Sequence, residues 1–231
     1  MDKLNVLFED NHLIVVLKPQ NVPTQEDESK DKDMLNMVKD YIIEKYQKPG
    51  NVYVGLVHRL DRPTGGVMVF AKTSKAASRL SEQIKNGDMS KKYLAVVDGV
   101  PKVQSGKLVN YLLKNEKTNT VNVVPQLTQG AKYAELAYKT LDSENGVSLV
   151  DIDLFTGRSH QIRVQFKNIN CPVYGDAKYG KRSSNNKLAL WSYYLKFTHP
   201  VTKNSMVFKV YPPVEEIPWK SFKVENLIEK W

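Results

Sequence analysis

The run Val147–Leu154 alternates, with Val150, Ile152 and Leu154 separated by Asp151 and Asp153. That two-residue period marks a strand with one buried face. Short apolar runs of the same kind recur at residues 5–8, 13–17, 52–57, 67–71, 93–97, 107–113, 121–124, 133–141, 190–197 and 206–211. Only three stretches carry helical spacing. Leu35, Val38, Ile42 and Tyr46 share a face over residues 34–46, with Pro49-Gly50 as the expected stop. Ala76, Leu80 and Ile84 follow a cap at Thr73 or Ser74 and end at Gly87. A short helix is expected from near Ser159, since Ile162, Phe166 and Ile169 fall together. Many strands and few helices confine the chain to an α+β fold, a large, mostly antiparallel mixed sheet with flanking helices. No linker, repeat or low-complexity segment divides residues 1–231, so a single domain is expected, with a Pro-rich tail after the last strand.

Composition narrows the partner. About two fifths of the 231 residues are hydrophobic, enough for a sizeable core. No apolar run approaches the roughly 18 residues of a membrane helix, and Asp10 and Asn11 interrupt any signal-like start. The expectation is a cytoplasmic protein with no membrane partner. The single cysteine, Cys171, excludes an internal disulfide and a multi-cysteine zinc site. A net charge of +9 favours a polyanion, most often nucleic acid. Biased codon usage raises the lysine count in the same way, so charge alone separates the two only modestly.

Three stretches concentrate chemistry. His58-Arg59-Leu60-Asp61-Arg62-Pro63-Thr64-Gly65-Gly66 sets charges, proline and glycines between two apolar strands, the pattern of a loop on a rigid scaffold. An aspartate between two arginines is held as a carboxylate, fit for a nucleophile, a metal ligand or an ion-pair partner. Composition by itself favours the ion pair, and His58 with Asp61 is weak evidence for a metal. Thr156-Gly157-Arg158-Ser159-His160-Gln161-Ile162-Arg163 reads as a strand exit and a basic helix start, which seats an anion or is simply capped and solvated. Lys91-Lys92-Tyr93 places an aromatic beside cations, suited to an unstacked base, although on these residues alone a core tyrosine with solvated lysines is the better reading.

Taken together and in this order, the three stretches closely resemble the RluA-type family of RNA pseudouridine synthases. The likeness extends to Leu17-Lys18-Pro19, Gly175-Asp176, Tyr179-Gly180 and Leu195-Lys196-Phe197-Thr198-His199-Pro200, essentially the whole chain. The resemblance implies the pseudouridine synthase fold with a central active-site cleft, and RNA, ribosomal or transfer, as partner. It also implies roles. Asp61 matches the nucleophile, Tyr93 the tyrosine that packs on the target base and takes its C5 proton, and Arg163 the basic partner of the aspartate. Arg59 matches the arginine that fills the gap left by the flipped uridine, and Leu190 an apolar contact of the base. His58, Arg62, Arg158 and Lys18 are supporting or RNA-contacting residues. The reaction breaks the N1–ribose bond, turns the uracil and rejoins it through C5. No redox change occurs and no group is imported, so neither cofactor nor metal is expected. Tyr93 at the ordinary tyrosine pKa of about 10 is a poor base and needs help from the site or water.

The chain departs from the family pattern at Gly65, where serine is usual, and paired glycines are expected to loosen that turn. Trp191 stands at a common histidine position, and Asn185-Asn186-Lys187 where arginine is common. Residues 3–16 already match the start of the catalytic domain, so no separate N-terminal RNA-binding domain is expected. Two rivals remain: a non-catalytic RNA-binding protein, opposed by the presence of Asp61, Tyr93 and Arg163, and a hydrolase, which lacks a Gly-x-Ser-x-Gly elbow. No Gly-x-x-x-x-Gly-Lys phosphate loop occurs either. A monomer is expected, since no long apolar surface run stands out.

Overall fold

The computed structural model describes residues 4–47, 50–180 and 187–228. The chain begins β1 (Asn5–Glu9), β2 (Leu13–Lys18), α1 (Met34–Tyr46), β3 (Gly55–Leu56), β4 (Gly65–Ala71) and α2 (Ser74–Asn86). It continues β5 (Ser90–Asp98), β6 (Ser105–Asn115), β7 (Thr120–Val124), β8 (Lys132–Glu144), β9 (Val147–Leu154) and α3 (Gln161–Asn168). It closes with β10 (Leu190–Thr198), β11 (Ser205–Lys209), a 3-10 turn at Trp219–Ser221 and α4 (Val224–Ile228). Eleven strands with four α-helices among the described residues make the expected α+β class, and each strand pairing with a described register is antiparallel.

Two compact units emerge, one from residues up to Ser90 with Tyr194–Val210, the other from Lys91–Tyr193 with the residues after Val210. In the first, β2 pairs with β1 and β4, β3 adds to β4, and β11 pairs with the later half of β10. Its core joins Leu13, Val15, Val67, Val69, Leu80 and Phe197, with Phe208 stacked 6.0 Å from Phe197. Thr73 caps α2 by accepting from the Ala76 N–H, and Gly87 ends it at φ 79°, as the sequence predicts. Helix α1 stops differently: Gln47 adopts the left-handed conformation, and Pro49 lies outside the described residues. The expected strand at 52–57 shrinks to two residues. A Cβ at Gly55 would meet Tyr53 Oη at 2.8 Å and Ala77 Cβ at 2.9 Å, so only a glycine lets the chain run this close to α2. Gly65 and Gly66 are buried residues of β4, with Gly66 opposite Lys18, so pairing fixes the turn that their sequence alone would loosen.

His199 anchors the Thr-His-Pro corner. Its Nδ1 accepts the Val201 and Thr202 N–H groups, so its proton sits on Nε2 and is donated to Asp10 at 2.8 Å. Glu9, at the end of β1, takes Lys72 at 2.6 Å, Lys45 at 2.7 Å and the hydroxyls of Tyr41 and Tyr46. Burial pushes its carboxyl up, but the lysines and Tyr46 more than offset that and bring it down to about 2. A depressed folded pKa contributes stability that is complete above the ordinary value of 4.5 and lost as pH falls towards 2. Glu9→Gln is therefore expected to lower the urea midpoint at pH 7 and to flatten its decline below pH 4.5, which urea titrations across that range would show.

In the second unit the strand order is β5-β9-β8-β6-β7, and α3 lies against β6 and β7. Leu112, Val121, Ala134, Val164 and Tyr179 form one of its clusters, and Phe166 of α3 meets Tyr138 edge-on at 5.4 Å. The Pro-rich tail is anchored by Trp219, Phe222, Val224 and Ile228, which are buried. Five helical residues are too few to show a period in sequence. No helix among the described residues is long and apolar enough to cross a membrane.

Candidate active site

In the first unit, main-chain ties hold the Asp61 loop on both sides. The buried Thr24 hydroxyl donates to Leu60 O at 2.8 Å and accepts its N–H at 3.3 Å. The Thr64 N–H donates to Asp61 O at 2.9 Å, closing a turn, and Gln20 Nε2 donates to Pro63 O at 3.0 Å. Lys18, fully buried, donates from Nζ to Pro19 O at 2.9 Å, Arg62 O at 3.0 Å and Thr64 O at 2.8 Å. Burial lowers its pKa to about 7, against the opposing pull of the Asp61 charge. Three acceptors match the three N–H groups of an ammonium and exceed the two of a neutral amine, so this geometry holds the protonated form. Lys18 thus acts on the backbone that follows Asp61, whose own exposure is intermediate.

The flanking residues divide by task. His58 Nε2 accepts the Val69 N–H at 3.0 Å, which places the ring proton on Nδ1 and ties the loop to β4. Arg62 reaches back to the polar 20–33 segment, bonding Ser29 Oγ at 2.7 Å, Asp31, and Asp27 at 3.4 Å. Arg59 is exposed.

In the second unit, Tyr93 lies on β5 opposite Ile152, only 6% exposed, and Leu190 opens β10 at 4%. Arg163, buried on α3, forks onto Asp176, with Nε to Oδ2 and Nη2 to Oδ1 both at 2.7 Å. Burial pushes the Asp176 carboxyl up, but the Arg163 fork and the N–H groups of Lys178 and Tyr179 outweigh it and hold the pKa below the ordinary value. A Cβ at Gly180 would stand 2.5 Å from Asp176 O, so the turn that aims Asp176 admits only glycine there. The Tyr179 ring lies 5.1 Å from Arg163 Cζ, a cation–π contact. Its hydroxyl accepts the Val121 N–H at 2.7 Å and meets His160 Nδ1 at 2.7 Å.

Helix α3 starts at Gln161 rather than near Ser159. His160 holds φ 50° with its ring engaged by Tyr179, and no side chain caps the helix. Gln161 organises the preceding turn instead, accepting from Thr156 Oγ1 at 2.8 Å and Arg158 N at 3.0 Å. Arg158 donates from Nε to Tyr133 O at 2.8 Å. Asp176, Tyr179 and Gln161 organise this part of the second unit, yet the sequence assigns them no role. Gly175-Asp176 and Tyr179-Gly180 are visible only as matching strings, and nothing in the spacing says which carboxylate grips Arg163. Asn185 and Asn186 lie outside the described residues, Lys187 pairs with Glu216, and Trp191 is buried. No group of three or more potential metal ligands occurs among the described residues.

A family model described as RNA pseudouridylate synthase matches residues 12–168. The chain belongs to this family. Its relatives' names place it with the RluA type, and it is an RNA pseudouridine synthase, an isomerase. An uncharacterized RNA pseudouridine synthase of Helicobacter pylori is 30% identical over 98% of this chain and 72% of its own length. YjbO of Bacillus subtilis, likewise uncharacterized, is 34% identical over 96% and 77%. The ribosomal large subunit pseudouridine synthase C of Buchnera aphidicola (subspecies Schizaphis graminum) is 32% identical over 87% of this chain and 65% of its own. The structure of human RNA pseudouridylate synthase domain containing 4 has a TM-score of 0.76 at 22% identity, covering 90% of this chain and 88% of that one. The pseudouridine synthase fold expected from the motifs is the fold observed.

Proposed function

We propose that this synthase, as a monomer in the cytoplasm, isomerises specific uridines of ribosomal or transfer RNA after flipping them from the stack, with Asp61 as nucleophile. The observation that carries the proposal is the pair of ties around one half-buried aspartate, with Thr24 holding Leu60 before it and Lys18 holding Arg62 and Thr64 after it. Tyr93 accepts the C5 proton and packs on the uracil, Arg163 is the basic catalytic residue, and Leu190 gives the base an apolar contact. Exposed Arg59 takes the space the uridine leaves, helping to offset an unstacking cost of a few kcal/mol. His58, Arg62 and Lys18 support the loop, and Arg158 contacts RNA. The isomerisation transfers no electrons and imports no group, so these side chains suffice without a metal or cofactor. The names of relatives that act on the large ribosomal subunit favour ribosomal RNA.

Because a C5–ribose bond replaces C5–H, tritium at C5 leaves as water when pseudouridine forms. Purified protein incubated separately with C5-tritiated ribosomal and transfer RNA transcripts is expected to release tritium from the ribosomal pool. Release from transfer RNA alone would move the substrate there. No release from either, with RNA binding retained, would overturn action on free RNA.

A further inference from the structure

Lys91 stands two residues before Tyr93 on β5, so strand alternation sets both on the same sheet face. Its neighbour Lys92 points to the other face and is spoken for, with Asp153 at 3.1 Å and Asp151 at 3.8 Å. Lys91 has no hydrogen-bond or ion-pair partner among the described residues, and its exposure is intermediate. Its Nζ lies against the Thr156-Gly157-Arg158 turn, where a Cβ on Gly157 would be 3.6 Å away. Burial, unopposed by any carboxylate, lowers the amine's pKa. A largely desolvated cation costs free energy unless something pairs with it, and where the protein supplies nothing the partner arrives with the ligand.

We propose that Lys91 binds a backbone phosphate of the substrate RNA beside Gly157, fixing the nucleotide chain next to the strand that carries Tyr93. The inference rests on RNA being the substrate and adds a contact to it. Uracil and ribose are neutral, so phosphodiesters are the charges this ammonium can meet, and lysine serves phosphate as a point charge. Gly157 leaves its backbone open to a group approaching Nζ. Arg158, the next residue, is anchored through Nε to Tyr133 O, which aims a second cation from the same turn.

The test is RNA binding and turnover as a function of salt for Lys91→Met, Lys91→Arg and Gly157→Ala, using the RNA the wild-type enzyme modifies. Removing one phosphate contact is expected to weaken binding about tenfold at low salt and to reduce the slope of log Kd against log salt by about one. Turnover at saturating RNA is expected to stay within about twofold. Lys91→Met is expected to hold or raise the urea midpoint, since no internal bond is lost, and Lys91→Arg to restore the slope. Gly157→Ala adds a methyl at ordinary contact distance, so the fold is expected to hold while binding weakens. An unchanged affinity and slope in Lys91→Met would overturn the proposal. So would a fall in kcat at constant KM, which would put Lys91 at the reacting base, or a fall in the urea midpoint, which would make it structural. If the wild-type protein itself releases no tritium, the substrate reading fails; if it does and the Lys91→Met slope is unchanged, only this contact fails.

Discussion

Asp61→Asn is expected to lower tritium release from C5-labelled RNA by at least about 10⁴-fold, a loss of about 5 kcal/mol or more of transition-state stabilisation. An amide oxygen is a poor nucleophile and carries no charge, so neither attack on the sugar or ring nor electrostatic assistance survives the exchange. The fold is expected to survive it. Several of the loop's ties run through its main-chain atoms: Thr24 to Leu60, Lys18 to Arg62 and Thr64, Gln20 to Pro63, and the Thr64 N–H to Asp61 O. The urea midpoint should therefore shift by no more than about 1 kcal/mol in equivalent stability, typical of a partly exposed site. RNA affinity should hold or rise, since a carboxylate repels phosphate. Substantial tritium release by the variant would remove Asp61 from the nucleophile's role, and global unfolding would show that its carboxylate, not the backbone cage, supports the loop.

What the sequence disclosed and what it hid follow one physical line. Period-two alternation finds β8, where buried and partly exposed residues alternate, and the second half of β9, where Asp151 and Asp153 flank buried Ile152. Thr73 and Gly87 mark α2 because capping is local chemistry. The Asp61 loop is legible because charge, proline and glycine cluster between apolar strands. The failures are tertiary. Gly65 and Gly66 look flexible in isolation, yet β2 pairs with that stretch and buries it. Residues 52–54 look like strand, but the pairing with β4 covers Gly55 and Leu56 alone among the described residues. Lys18 is expected as a supporting or RNA-contacting residue, and only the fold shows three carbonyls converging on its ammonium. A helix start is expected near Ser159, but the helix begins at Gln161, whose side chain reaches back to Thr156 and Arg158 in the preceding turn. Asp176 is the largest omission, because a carboxylate's partner thirteen residues away cannot be read from spacing.

Asp176→Ala is expected to destabilise the protein by about 3–5 kcal/mol, the usual consequence of breaking a buried ion pair from one side. Arg163 would lose two charge-assisted bonds at 2.7 Å, and the Lys178 and Tyr179 N–H groups their shared acceptor. Against a total of about 5–15 kcal/mol, such a loss brings the variant near unfolding, so catalysis is better read in Asp176→Asn. The amide oxygen still accepts from Lys178 and Tyr179, but its NH₂ faces the Arg163 Nε donor, and about 2 kcal/mol is the expected cost. If Arg163 works at the reacting base, tilting its guanidinium should lower kcat by about 10–100-fold while KM changes by less than about threefold. A purely structural pair would lower the urea midpoint and leave kcat unchanged below the unfolding transition. The acid limb gives an independent check. Because the folded pKa of Asp176 is depressed, its contribution is complete above the unfolded value of about 3.9 and lost as pH falls below it. The wild-type protein should therefore lose urea resistance faster than Asp176→Asn as pH drops from about 5 to 3. Parallel decline in the two proteins would show that the pairing of Asp176 with Arg163 contributes nothing net to folding.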